Sequence, residues 1–435
     1  MPPPNTMGEA GHSAFEHFTV HYNKADITSL VGAVQLNESI YQPFLDGHLE
    51  ITDGRSFADN HIRSARDYVV IECQYQGQPL VKKFYADGIS FLDTTNIQTH
   101  KTYRLNLRSP YELGNALSRV SKPFDGDASQ IISLLWDELL DKTPGAHPKL
   151  YVDSWAGTQG LYTCPNWSPL KAIGKIIDNS YTIEGSPMFL YERLWAEHPT
   201  KLSSWERMIC SLPFYNVSPV LPDTLEGIRH LHGAPSKVMI RHDHDGEVDR
   251  AAAGVLGCSI KTVNLAASVP VHEQTYQYLQ DVIDVGSRDS KYHGLLQAEF
   301  DVVHGIEKTT VCLQTGDDKQ LISAMNAKEI AIANAIRSKM ESVVIDVYSC
   351  RAMPKLKVGD TVTMDLPEGI PGDTTGTKER LSAKYTGRFV VATITHRMKD
   401  RDYEQDLTII RDGMVSPDTI MGSNLGSRDA EGNLL

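Results

Sequence analysis

The run Val343-Val-Ile-Asp-Val-Tyr348, with the residues that follow it as far as Asp412, decides how this chain folds. Apolar and polar positions alternate in it, the period of a strand with one buried face. In Lys355-Leu-Lys-Val-Gly-Asp-Thr-Val-Thr-Met364 the Gly359-Asp360 pair marks a turn after which a second strand begins. A polar Gly/Pro-rich stretch runs from Pro367 to Lys384. Tyr385-Thr-Gly-Arg-Phe-Val-Val-Ala-Thr-Ile-Thr-His396 is the third strand, Lys399-Asp-Arg-Asp402 a charged hairpin turn, and Tyr403 to Arg411 the closing strand. Four strands with short turns imply a small antiparallel barrel or sandwich.

A second β region stands near the other end. Phe18–Tyr22, Val31–Leu36, His48–Thr52, Tyr68–Cys73, Leu80–Phe84 and Tyr103–Leu107 all alternate, and Asp46-Gly47, Asp53-Gly54, Gln76-Gly77 and Asp87-Gly88 are assigned to turns between them. Helices follow. Ser109-Pro-Tyr-Glu112 has the order of a helix start, with Ser as N-cap, Pro at the first position and Glu close to a capping box. That helix is expected to continue to Val120. Ala128–Leu140 places Ile131, Leu134, Leu135, Glu138 and Leu139 along one side, and Trp167–Ile177 does the same with Leu170, Ile173, Ile176 and Ile177. Phe189–Glu192 and the Trp195–Trp205 segment come next. Residues 211–320 read as strands at 236–242, 261–267, 299–304 and 308–313. A helix is expected from Asp317 to Met340.

The C-terminal motifs, taken in order, are Lys357-Val-Gly-Asp-Thr-Val362, Thr386-Gly-Arg-Phe-Val-Val391, His396, Tyr403 and Leu407-Thr-Ile-Ile-Arg-Asp412. Their order and spacing resemble the second tube-like barrel of baseplate hub proteins from contractile-tailed bacteriophages. Leu36-Asn-Glu-Ser-Ile-Tyr41, Gly47-His-Leu-Glu-Ile-Thr-Asp53, Tyr68-Val-Val-Ile-Glu72 and Tyr103-Arg-Leu-Asn-Leu-Arg-Ser-Pro110 resemble that family's first tube-like domain. Trp167-Ser-Pro-Leu-Lys-Ala-Ile173 resembles its intervening domain. The resemblance covers residues 15–210 and 320–412. It implies a mixed α+β, β-rich fold of two tube-like antiparallel β-barrel domains with α/β domains between them. The expected division is a 1–14 arm, a 15–110 barrel, a 111–210 α/β insert, a 211–320 β-rich domain contributing to the second barrel, a 321–415 helix plus barrel, and a 416–435 tail.

The resemblance further implies a structural protein rather than an enzyme. Its homotrimeric ring would join the tail tube, or a tube-initiator protein, to a central spike protein among other baseplate proteins. DNA would pass through its channel without specific binding. Its place would be the virion tail baseplate, assembled in the host cytoplasm, with no membrane partner. One alternative is the base of a type VI secretion or tailocin spike.

Composition fits this picture. At 435 residues the chain needs more than one core. Lys plus Arg is 42 against 55 for Asp plus Glu, a net charge of −13, which disfavours a grip on phosphate backbones. No apolar run approaches the roughly 18 residues of a bilayer span, and Met1-Pro-Pro-Pro-Asn lacks a signal-peptide core. Cys73, Cys164, Cys210, Cys258, Cys312 and Cys350 show no metal-ligand spacing and read as buried thiols.

Candidate chemistry is thin. Arg241-His-Asp-His-Asp-Gly-Glu-Val-Asp249, with His230 and His232 upstream, could ligate a divalent metal, so a metal-dependent hydrolase using His242–Asp249 is a second alternative. The run also reads as a polar turn, and a calcium loop would need Glu where Gly254 stands. Gly157-Thr-Gln-Gly160 is no nucleophile elbow, and no phosphate-binding glycine pattern follows a strand. Catalytic, cofactor and metal residues are therefore expected to be none. Trp136, Trp155, Trp167, Trp195 and Trp205 are expected mostly in the core, with one or two at a subunit interface.

Overall fold

A computed structural model describes residues 15–54, 57, 67–93, 101–143, 149–183, 185–209, 211, 215–218, 235, 237–241, 257–263, 272–277, 309–314, 319–368, 380–381, 385–399 and 402–411. The N-terminal module is β1 (His17–Tyr22), β2 (Ala25–Asp26), β3 (Val31–Ser39), β4 (Asp46–Asp53), β5 (Tyr68–Tyr75), β6 (Gln78–Asp93) and β7 (Lys101–Arg108). The insert contains α1 (Pro110–Leu117), β8 (Pro123–Asp127), α2 (Ala128–Leu140), β9 (Tyr151–Val152), β10 (Gln159–Thr163), α3 (Pro169–Asp178), β11 (Met188–Glu192), β12 (Thr200–Ser204) and α4 (Trp205–Ile209). Next come β13 (Tyr215–Asn216), β14 (Lys237–Arg241), β15 (Gly257–Val263), β16 (His272–Gln277) and β17 (Thr309–Gln314). The C-terminal module is α5 (Ala327–Lys339), β18 (Val343–Arg351), β19 (Thr361–Met364), β20 (Pro367–Glu368), β21 (Arg380–Leu381), β22 (Gly387–Lys399) and β23 (Asp402–Arg411).

The two modules share a single 13-stranded sheet, in the order β14-β18-β23-β22-β3-β4-β7-β6-β5-β1-β2, with β19 on β22 and β13 on β19. The fold is thus β-rich with a large antiparallel sheet. The joint falls on β22. One of its edges carries β23; the other takes β19 over Gly387–Val390 and β3 over Thr393–Lys399. Strands β15–β17 form a separate sheet, as do β9, β11 and β12.

Alternation does what it should in the strands. On β5 the apolar positions Val69, Ile71 and Cys73 are buried, and between them Val70, Glu72 and Gln74 are partly exposed. Gln76 (φ 50°) and Gly77 (φ 71°) make the two-residue β5–β6 hairpin, a left-handed pair whose twist suits the flanking strands. Two other expected turns are not turns. Asp46-Gly47 opens β4, where a Cβ on Gly47 would lie 2.2 Å from the Gln35 carbonyl oxygen, so this glycine is required by close approach of β3. Asp87-Gly88 lies inside β6, at a register shift against β7 between Ala86 and Gly88.

Three cores result. One lies under the N-terminal module (Val20, Leu36, Leu49, Tyr103), one under the C-terminal module (Ile345, Val347, Phe389, Ile409), and one in the insert (Ile131, Leu135, Trp136, Ile173). Met398 and Tyr403, at the tip of the β22–β23 hairpin, are buried in the N-terminal core.

Helix expectations hold in part. Helix α1 starts after Ser109 with Pro110 in its first turn and stops at Leu117 rather than Val120. The capping box does not form: Ser109 makes no side-chain cap, and Glu112 pairs with Arg108 instead. On α2, Leu134 faces solvent while Ile132 and Trp136 turn inward, and Asp127 caps the helix by accepting from the Gln130 amide at 2.8 Å. Helix α5 begins at Ala327, because Ala324–Asn326 form a 3-10 turn ahead of it. Asp317 and the strand expected at 299–304 lie outside the described residues.

Candidate functional site at the seam between the modules

The seam is a ladder of seven opposed pairs, from Thr393 opposite Ser39 to Lys399 opposite Ala33. Strand periodicity turns Leu36 and Glu38 of β3 to the same side, so a carboxylate sits in an apolar row. Glu38 is fully buried, and so is His396 on the facing strand. A carboxylate there is tolerable only if hydrogen bonds replace water. Glu38 Oε1 accepts from the Leu194 amide at 2.7 Å and lies 3.0 Å from His396 Nε2; Oε2 accepts from the Val358 amide at 3.4 Å.

The network continues through the imidazole. His396 Nδ1 lies 2.6 Å from the Tyr403 hydroxyl, which accepts from Trp195 Nε1 at 2.8 Å. Gln405, opposite His396 on β23, accepts from the Met353 amide at 2.8 Å. Burial holds the Tyr403 hydroxyl well above its usual pKa, so it stays protonated. The β3 carboxylate, the loop after β11, the turn before β19 and the β22–β23 hairpin thus meet at one point. A second buried carboxylate acts alike: Glu192 Oε2 accepts from the Leu45 amide at 3.0 Å, and Oε1 meets Lys82 Nζ at 2.8 Å. It ties insert strand β11 to the N-terminal module.

A His–Glu–Tyr group invites a catalytic reading. Its burial opposes that: Glu38 and His396 have no exposed surface, so a substrate cannot reach them. The arrangement is a structural rivet.

The opposite face of the sheet carries several ion pairs. Arg104 pairs with Glu50 at 2.8 Å, Arg397 with Asp406 at 2.5 Å, and Arg108 with Asp87 at 3.1 Å. Arg241 pairs with Asp346, whose Oδ1 also accepts from Thr408 at 2.9 Å. Arg241 is therefore engaged in the sheet. His230, His232 and His242–Asp249 lie outside the described residues. Among the described residues no group of His, Cys, Asp and Glu is placed to hold a metal, and no helix is long and apolar enough to cross a membrane. Cys73 and Cys350 are buried free thiols, each pushed up to about 12 by that burial; Cys164 is pushed to about 11.

The tryptophans divide. Trp136 and Trp205 are core, Trp195 belongs to the seam network, Trp167 lies under Lys171 Nζ at 4.9 Å, and Trp155 is 55% exposed. Sequence reasoning quoted Glu38 and His396 as family motif residues without assigning them a joint role. The available signal was Glu38 standing between Leu36 and Ile40 on an apolar face.

The fold is that of phage tail proteins. Two solved structures match nearly end to end: the 43 kDa tail protein of prophage MuSo2 from Shewanella oneidensis and the tail protein from Neisseria meningitidis MC58. Each superposes with a TM-score of 0.54 at 10% identity, over 91% and 92% of this chain respectively and 98% of the other chain. A weaker likeness, TM-score 0.43 at 8% identity, covers 93% of this chain and 78% of an E. coli type VI secretion component, c3393. No family model matches the sequence, and no curated protein matches it. The resemblance to tail proteins read from the motifs is therefore borne out by the fold, at identities where sequence comparison finds nothing.

Proposed function

We propose that this protein is a structural component of a contractile phage-tail baseplate, a trimeric hub ring that joins the tail tube to the central spike and leaves a channel for DNA. The observation that carries the reading is the continuous sheet through both β modules, in a fold shared over almost its whole length with tail proteins. Among the described residues the sheet ends in β14 on one side and β2 on the other. Open edges favour pairing with another chain, and a repeated head-to-tail contact closes into a ring when its rotation permits. The two modules would then close as tube-like barrels only in the assembly. The ion pairs on the outward face suit a wall past which DNA slides. The rivets at Glu38 and Glu192 suit a part that must transmit force without shearing between modules.

Light scattering on the purified chain at several concentrations tests this. A particle of three times 48.3 kDa, with a central hole by electron microscopy, is the expected result. A strict monomer carrying a stoichiometric metal that is lost in a His242→Ala/His244→Ala double variant would replace the hub with a metal enzyme.

A further inference from the structure

An apolar cleft of about 230 Å³ opens where α3, β11, α5 and the segment after β3 converge, and nothing in the network above uses it. Its walls include Tyr41, Ile173, Ile177, Met188 and Phe189, and Arg337 of α5 is its cation. The Arg337 guanidinium is fixed in place: Nη2 donates to the Ile177 carbonyl at 3.1 Å, and Nη1 donates to Asn334 Oδ1 at 3.1 Å and lies 3.5 Å from Asp178 Oδ1. A drug- or cofactor-sized ligand uses roughly 300–1,000 Å³. The cleft is smaller, a size suited to one or two side chains of a peptide.

The chain leaves the described fold close to this cleft. Strand β23 ends at Arg411, which is paired with Val343 on β18. Val343 follows the last residue of α5, Lys339, by four positions, and Arg337 lies in that last turn. Residues 412–435 lie outside the described residues, and 24 residues span up to about 80 Å. Their sequence contains Ser416-Pro-Asp-Thr-Ile-Met421, an apolar pair two residues beyond a carboxylate, and residues 412–435 carry Asp412, Asp418, Asp429 and Glu431 against Arg428 alone. The apolar pair complements a greasy cleft; Arg337 on its wall already meets Asp178 of the same wall, so a carboxylate of the tail would share or displace that contact.

We propose that the cleft is the docking site of the chain's own Asp418–Met421 segment, with the Ile420 and Met421 side chains in the cleft and the Asp418 carboxylate on Arg337. The segment would strap α5 to the insert, joining the end of the C-terminal module to α3. This does not depend on the ring reading.

Two full-length variants test it. Ile420→Glu/Met421→Glu removes the occupant. Gly174→Leu fills the site: Gly174 lines the cleft, and a Cβ built on it meets no atom within 4 Å, so a side chain leaves the backbone there without a clash. Hydrogen exchange of the α3 amides from Ile173 to Asp178 reads occupancy, and trypsin cleavage after Arg428 reads release of the tail. Both variants are expected to speed cleavage after Arg428 by tenfold or more. The first is expected to raise α3 exchange at least severalfold. Unchanged cleavage and exchange in both variants would overturn the proposal. So would a change in particle mass with Gly174→Leu while cleavage stays constant, since the cleft would then hold a second copy.

Discussion

The N-terminal module draws its strands from one continuous stretch of sequence, and the C-terminal module collects its strands from distant ones. Within residues 17–108, β3 with β4, β5 with β6 and β6 with β7 are pairs of successive strands. In the other half, β13 reaches β19 through Tyr215 opposite Val362, and β14 reaches β18 through Lys237 opposite Tyr348. Local pairing closes short loops, whereas distant pairing must hold long ones closed. The C-terminal module therefore depends on what clamps it to the rest, and the seam at Glu38 and His396 is that clamp. Breaking the seam should separate two halves that differ in self-sufficiency.

The largest effect is expected from His396→Ala. It leaves Glu38 buried with only the Leu194 and Val358 amides, and removing one partner of a buried pair costs about 3–5 kcal/mol. Thermal unfolding should change from one transition to two, with the C-terminal module melting first. His396→Gln keeps a donor for Glu38 and should cost much less. A loss under about 1 kcal/mol with His396→Ala, in a single transition, would mean that the β3–β22 backbone ladder alone holds the halves together.

Next in size is Gly47→Ala, inside the N-terminal module. The new Cβ would lie 2.2 Å from the Gln35 carbonyl oxygen and 2.9 Å from Leu36 Cδ2, so strand β3 must shift, at a cost of about 1–3 kcal/mol. Gly32→Ala is the control. Its nearest neighbour is the Glu50 carbonyl oxygen at 3.8 Å, and it should be neutral or slightly stabilising. Equal effects in chemical denaturation would show that β3 and β4 are not in close register at Gly47.

These two sites also show what was legible in the chain. Alternation on β5, on β22 from Ala392 onward and on β23 up to Ile409 announced strands, because there one face is buried and the other is not; Phe389–Ala392 and Ile409–Arg411 are buried on both faces. The Gln76-Gly77 turn was legible because its backbone demands positive φ. Gly47 and Gly88 carried the same dipeptide signal for different reasons, a close approach and a bulge, which only the partner strand distinguishes. The start of α5 was misplaced because Leu321 and Met325 continue its spacing, although Ala324–Asn326 form a 3-10 turn. Glu38 and His396 are 358 positions apart, so no local pattern could show that they meet.

A smaller effect, dependent on pH, is expected at the Gly359-Asp360 turn of the C-terminal module. Burial, partly offset by the Lys357 amide donating at 3.0 Å, raises the Asp360 carboxyl above its usual pKa. A raised folded value means that its contribution to stability is present below the unfolded pKa of about 3.9 and is lost as pH rises through the folded one. Asp360→Asn keeps an acceptor for Lys357 and cannot ionise. It should raise the denaturant midpoint at pH 7 and leave it unchanged at pH 3. An equal midpoint at pH 7 would show that the turn already compensates the charge.

The smallest effect sharpens the contrast between the two faces of the sheet. Arg104 and Glu50 lie 2.8 Å apart, as close as Lys82 and Glu192, yet they are 42% and 36% exposed while Glu192 is enclosed. Water solvates either partner when the other is lost, and salt screens what attraction remains. Arg104→Ala should therefore cost less than about 0.5 kcal/mol, and less still at high salt. Lys82→Ala, which strands a carboxylate inside the protein, should cost several times more at any ionic strength. If both variants lost the same stability, burial would not distinguish rivet from surface pair, and the seam would owe its strength to the ladder. If only the inner pair matters, the outer face is free to vary in charge while the inner face holds the modules together.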